Sequence, residues 1–160
     1  MNVLNNILFW GSRFLAFHRH VWLGLKLRGK GVFQGFYIES GFRLTTLRNI
    51  SIRPGVVIQR RTVFAMKPAA SLIVGSKTRI GSDCVLAAQE RVELGDNVLL
   101  AARCLASDHN HQFRYLAKPI MAQGATKSRP ISIGNGSGLG INVCIRPGCA
   151  SGQALRCRRE

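Results

Sequence analysis

The sequence predicts an all-β solenoid, a single-stranded left-handed parallel β-helix preceded by an N-terminal amphipathic helix. Three observations carry this prediction. Apolar or small residues recur every six positions, a second such series runs two residues behind the first, and both break at one loop before resuming. The bulk composition agrees with one folded unit. A chain of 160 residues is about the size of an ordinary domain, and 46% hydrophobic residues with a mean hydropathy of +0.08 can build a core, which argues against extended disorder.

Residues 1–30 form the helical segment. At helical pitch Asn2, Asn5, Asn6, Ser12, Arg13 and Arg19 share one face. Val3, Leu4, Ile7, Leu8, Trp10, Phe14, Leu15 and Phe17 fill the other, with Phe9 the exception. Such a face must be covered. It either packs on its own domain or a neighbouring subunit, or it lies in a membrane interface, where Trp10, Trp22 and the cluster His18, Arg19, His20, Lys26, Arg28 and Lys30 would help. A secretory signal is a poor fit: the basic n-region is missing, Arg13 interrupts the apolar run and no A-x-A site follows. No run reaches the ~18 apolar residues of a membrane span.

Residues 31–150 carry the repeat. In steps of six the chain reads Val32, Ile38, Leu44, Ile50, Val56, Thr62, Pro68, Val74, Ile80, Leu86, Val92, Val98 and Cys104. The second register is Ile52, Ile58, Phe64, Ala70, Ser76, Ser82, Ala88, Leu94 and Leu100. A helix wants intervals of three and four, and a meander wants alternation broken by hairpins, so neither explains a fixed six. A coil of three flat faces does: each hexad supplies a short strand and a turn, three hexads close a triangle, and stacked triangles bury the inward residues. Gly41, Gly55, Gly75, Gly81 and Gly95 fall near the turns, and Pro54 and Pro68 fit coil corners. The frame resumes over residues 133–150 after an irregular loop, 107–132, that leaves the solenoid and returns. Residues 151–160 form an irregular basic tail.

Charge and cysteine usage narrow the partners. The 23 Lys+Arg against 7 Asp+Glu give +16, which favours phosphates, anionic glycans or an anionic membrane surface. Nucleic acid is disfavoured, because the basic residues are scattered and no zinc-finger, RNA-recognition or basic-zipper pattern accompanies them. The five cysteines, Cys84, Cys104, Cys144, Cys149 and Cys157, are odd in number and lack CxxC spacing. They fit small buried hydrophobes in a reducing cytoplasm better than disulfides or a metal site.

Three segments carry a resemblance: Leu94-Gly95-Asp96-Asn97-Val98-Leu99-Leu100, the loop Ser107-Asp108-His109-Asn110-His111, and the return Arg129-Pro130-Ile131-Ser132-Ile133-Gly134-Asn135. Over about residues 32–149 the chain resembles the hexapeptide-repeat acyltransferase superfamily, in the branch of sugar O-acetyltransferases that act on galactosides, maltose and the sugars of capsules and O-antigens. The resemblance implies acetyl-CoA as acyl donor, no metal, a sugar or lipid-linked glycan acceptor, and a homotrimer with active sites between subunits. It also implies His109 as general base, oriented by Asp108 or a backbone carbonyl. Asn110, His111 and Gln89 fall on the acceptor side, His111 equally readable as a bystander. Gly140, Ile141 and Asn142 fall where the pantetheine arm is contacted, and Arg146 where a phosphate could be met. A zinc-dependent anhydrase on the same solenoid would need three histidines, and only His109 and His111 lie within the coils.

The chain departs from that family at three places. Gly138-Leu139-Gly140 stands where relatives carry Trp-Ile-Gly, and Ala87-Ala88-Gln89 where galactoside-type relatives place asparagine. After Ala150 the hexads stop, and the tail reads like a shortened or frame-shifted terminus. The expected function is therefore O-acetylation of a surface polysaccharide or its precursor, in the cytoplasm or at the inner membrane face. The competing expectations are an impaired β-helix serving as a binding or assembly subunit, and a peripheral membrane protein whose basic surface matters more than chemistry.

Overall fold

A computed structural model describes residues 35–150, Gly152 and the backbone of residues 156–157; the expected N-terminal helix lies outside these described residues. Strands are numbered in chain order. The first sheet stacks β1 (Tyr37–Ile38), β4 (Val57–Ile58), β7 (Arg79–Ile80), β10 (Leu99–Leu100), β13 (Gly138–Leu139) and β15 (Arg156–Cys157). The second stacks β2 (Arg43–Leu44), β5 (Val63–Met66), β8 (Val85–Ala88), β11 (Leu105–Ser107) and β14 (Cys144–Ile145). The third stacks β3 (Ile50–Ile52), β6 (Ser71–Val74), β9 (Arg91–Leu94) and β12 (Ile131–Ile133). Every paired strand is parallel, and the chain visits the three sheets in turn. This is the all-β parallel solenoid that the hexads predict. The last strand, β15, lies within the segment expected to be irregular and pairs with β13.

Inward residues stack on their counterparts one coil away. Ile38, Ile58, Ile80, Leu100 and Leu139 form one column, and Phe64, Leu86, Ala106 and Ile145 another. A third holds Ile52, Val74, Leu94 and Ile133. Nearly all are fully buried. Each loses its water on both sides of the stack, at roughly 1.5–3 kcal/mol per large side chain, and this is what the repeat gains by stacking.

The coil is longer than three hexads. Ile38 and Ile58 are 20 residues apart, Ile58 and Ile80 are 22, and the expected 18 is reached after the loop, between Ser132 and Ala150 and between Gly138 and Arg156. The additional residues sit in the four-residue strands β5, β6, β8 and β9. They come in even numbers, so strand alternation keeps its phase and a six-residue frame still lands on inward positions. The frame fails at Pro68, which is exposed in the turn after β5 with Met66 and Ala70 inward on either side, and in the second register at Ser76 and Ser82, which lie half-buried in turns.

Coil corners explain the glycines. Gly41 has φ +79° and stacks under Arg61, Asp83, Arg103 and Asn142, which adopt the same left-handed conformation at the corner between the first and second sheets. Gly81 is needed for another reason, since a Cβ there would lie 2.6 Å from the carbonyl carbon of Ala101 in the next coil. Among the described residues no buried side-chain N or O lacks a partner: Thr62 Oγ1 donates to Gly81 O (3.0 Å) and Thr78 Oγ1 to Gly95 O (2.7 Å). Cys84 and Cys104 are buried as expected, and their shared hydrogen bond, together with burial, pushes the Cys84 thiol up. Cys144, by contrast, points outward from β14.

Candidate active site

The second sheet ends where the ejected loop begins. Asp108 N still bonds the ladder, at 3.2 Å from Ala87 O, and Arg129 N donates back to Asp108 O at 2.8 Å. Gly148 N in turn donates to Arg129 O at 3.0 Å, so the neck of the loop is clamped between two coils. Above the neck the chain pairs with itself. His111 bridges Ala125 in antiparallel fashion, Thr126 N donates to Asn110 O (2.7 Å), and Asn110 N donates to Thr126 Oγ1 (3.0 Å). The tip holds one short helix, α1 (Ile120–Gln123), and the Gln123 side chain ties it down through Tyr115 N, Tyr115 O and Lys118 O.

Asp108 is the joint. Its carboxylate is fully buried and accepts the backbone amides of Gln89 (2.9 Å), Glu90 (2.7 Å) and Arg91 (2.9 Å), which form the turn from β8 to β9 in the preceding coil. The same carboxylate lies 2.8 Å from His109 Nδ1. An oxygen that already accepts amides can only accept again, so Nδ1 carries the ring proton and the lone pair on Nε2 is left free. The His109 side chain is 24% exposed while Asp108 is 0%, so a substrate can reach the ring and not its anchor. Ser107 Oγ donates to His109 O at 2.7 Å and fixes the backbone on the other side.

The remaining expected site residues divide into two groups. Gln89 stands at the site, through its amide on Asp108. Asn110 and His111 are exposed in the neck, with Asn110 Oδ1 accepting from His111 N at 2.8 Å. Arg146 follows Ile145, the next-coil partner of Ala106, and is exposed at the same corner as His109. Gly140, Ile141 and Asn142 lie at the opposite corner of the second sheet, between β13 and β14. There Asn142 Oδ1 accepts from Arg103 Nε at 2.8 Å and Gly140 O from the Cys104 thiol at 3.1 Å. Within one chain these three are not brought to His109. Gly138 pairs with Leu99, and among the described residues nothing lies within 4 Å of where a Cβ would stand.

Sequence reasoning missed the parts that require the preceding coil. The amides of Glu90 and Arg91 hold Asp108, and Ser128 Oγ donates to Glu90 Oε2 at 2.9 Å, bracing the return limb of the loop. Their one sequence signal is distance: Gln89 and Asp108 are 19 residues apart, close to one coil. Among the described residues no cluster of three metal-ligating side chains occurs, and no helix is long and apolar enough to cross a membrane.

Fold and site together define a parallel β-solenoid that presents a carboxylate-held histidine at the neck of an ejected loop. No protein-family model matches the chain. Over 83 residues, 52% of the chain, the sequence is 35% identical to a probable acetyltransferase of Mycobacterium tuberculosis, Rv3034c. That stretch is 27% of the relative, so the chain spans about a quarter of its length. The fold is similar to that of AntD, an N-acyltransferase from Bacillus cereus. One AntD variant, in complex with dTDP and coenzyme A, matches with a TM-score of 0.58 at 15% identity over 84% of this chain and 80% of that one. Another, in complex with dTDP-4-amino-4,6-dideoxyglucose and coenzyme A, matches at 0.55 and 16% over the same shares. At these identities the likeness is one of fold.

Proposed function

We propose that this chain is an acyl-CoA-dependent acyltransferase of the hexapeptide-repeat superfamily, in the sugar O-acetyltransferase branch, with His109 as general base. The observation that carries the reading is the His109–Asp108 pair: a ring nitrogen fixed at 2.8 Å from a buried carboxylate, on a side chain that is itself 24% exposed. Nε2 takes the proton of an acceptor hydroxyl as its oxygen attacks the thioester carbonyl of acetyl-CoA. The tetrahedral intermediate then expels the thiolate, which recovers that proton from the imidazolium. No covalent enzyme intermediate is required.

The names of the similar proteins support the donor and the acceptor class. The mycobacterial relative is described as an acetyltransferase, and the AntD complexes hold coenzyme A together with a nucleotide or an amino-sugar nucleotide. The acceptor is a sugar hydroxyl in a surface polysaccharide or its lipid-linked precursor, modified in the cytoplasm. Asn110 and His111 face it from the neck and Gln89 from the β8–β9 turn beneath. A homotrimer completes the site, because Gly140, Ile141 and Asn142 stand at the far corner of the second sheet and reach a histidine only if it belongs to a neighbouring copy. Arg146, on the His109 corner, then meets a phosphate of the donor.

Release of free thiol from acetyl-CoA in the presence of candidate sugars and sugar nucleotides tests the reading. Acceptor-dependent release by the wild-type chain is the expected result. Failure to bind coenzyme A by calorimetry, with trimerisation intact, would favour the impaired assembly subunit, for which glycine at 138 and the end of the hexads after Ala150 are the motives.

A further inference from the structure

We infer that the tip of the ejected loop, residues 113–121, docks on an anionic lipid bilayer. The inference is independent of the acyl-transfer reading. Large apolar side chains crowd this short stretch: Phe113 is 66% exposed, Tyr115 65%, Leu116 100%, Ile120 53% and Met121 86%. Nothing in α1 is buried. The tip is nevertheless an ordered unit, because Gln123 bonds Tyr115 and Lys118 and the neck strands pair beneath it. Its own hydrogen bonds thus hold the apolar groups outward, on a protrusion that the solenoid does not cover. A patch of this kind marks a surface built to meet another.

Charge selects the occupant. Arg114 and Lys118 are interleaved with the apolar residues, Lys127 and Arg129 stand on the return limb, and no Asp or Glu occurs between Asp108 and Glu160. An anionic bilayer offers both things the tip lacks, an apolar interior for the rings and methyls and negative headgroups for the two cations. Tyr115 suits the boundary between them. Seated this way, the loop holds the His109 neck at the membrane surface.

A fluorescent reporter at the tip tests this directly. The native tryptophans, Trp10 and Trp22, are both N-terminal, so Leu116→Trp in a full-length chain carrying Trp10→Phe and Trp22→Phe reports on the tip alone. Vesicles of phosphatidylglycerol and phosphatidylcholine in equal parts should shift its emission to the blue, brominated acyl chains should quench it, and phosphatidylcholine alone should do neither. Replacing Arg114 and Lys118 by serine should weaken vesicle binding roughly thirtyfold. An emission unchanged by the anionic vesicles overturns the inference. So does a blue shift without lipid that grows with protein concentration, since a second copy would then be covering the tip. In the chain with native tryptophans, Leu116→Asp should weaken sedimentation with the same vesicles, and undiminished binding counts against the proposal.

Discussion

The solenoid wall and the loop it ejects obey opposite rules. In the wall, side chains alternate strictly, one buried and one outward, and every coil repeats the contacts of its neighbour. In the loop, alternation is lost, α1 buries nothing, and five large apolar side chains face outward. The wall is stable because each residue shares a column with others of its kind; the loop borrows its order from one buried group, Asp108, whose partners lie in the preceding coil. Stability and chemistry are thereby assigned to different parts of the chain and joined at one carboxylate.

Breaking the joint should have the largest effect. Asp108→Ala strands the amides of Gln89, Glu90 and Arg91 and releases His109, and a loss of about 3–5 kcal/mol in denaturant unfolding is expected, with transfer abolished. Removing the loop's chemistry alone should separate the two regions. His109→Ala gives up a single hydrogen bond of a partly exposed ring, so stability should change by about 1 kcal/mol or less, while turnover falls roughly 10²–10⁴-fold.

Within the wall, two glycines make a sharper contrast. Gly81→Ala drives a Cβ into the Ala101 backbone of the next coil and should cost about 1–3 kcal/mol of thermal stability. Gly138→Ala enters open space and should stay within about 0.5 kcal/mol. Equal melting temperatures for the two variants would mean that the coils are not packed as closely as described.

The smallest effect concerns pH. Arg61 bonds Asp83 through Nε and a terminal nitrogen at 2.5 and 2.7 Å, and holds its carboxyl below the ordinary carboxylate range. A carboxylate depressed in the folded chain contributes stability that is present above its unfolded pKa and is lost as pH falls through the folded value. The pair is solvent-exposed and screened, so Arg61→Ala should leave stability at neutral pH almost unchanged. The Asp83 titration, followed by NMR, should move up into the ordinary carboxylate range.

The same contrast explains what could be read from the sequence. The columns through Ile58, Ile80 and Leu100 were legible, because extra residues enter the coils in even numbers and leave the inward phase intact. Coil length was not, because those residues lengthen strands by two and keep the alternation in phase; Pro68, Ser76 and Ser82, which a six-residue frame points inward and the structure places in turns, are the positions that betray them. The ejection of the loop that carries His109 was legible from the break in the frame. The reason for Asp108 was not, since its amide partners are ordinary backbone whose side chains carry no signal, and Gln89, singled out for its carboxamide, contributes its N–H. Gly140, Ile141 and Asn142 lie near His109 in neither the sequence nor the single-chain fold.

The central claim is that the wall, through Asp108, hands the loop a histidine with Nδ1 protonated and Nε2 free. Nitrogen-15 chemical shifts of the imidazole, assigned by loss of the signal in His109→Ala, test it without a substrate. The account predicts that the neutral ring has its proton on Nδ1 in the wild-type chain and loses this preference when Asp108 is replaced. A neutral ring protonated on Nε2, or one indifferent to Asp108, would contradict it.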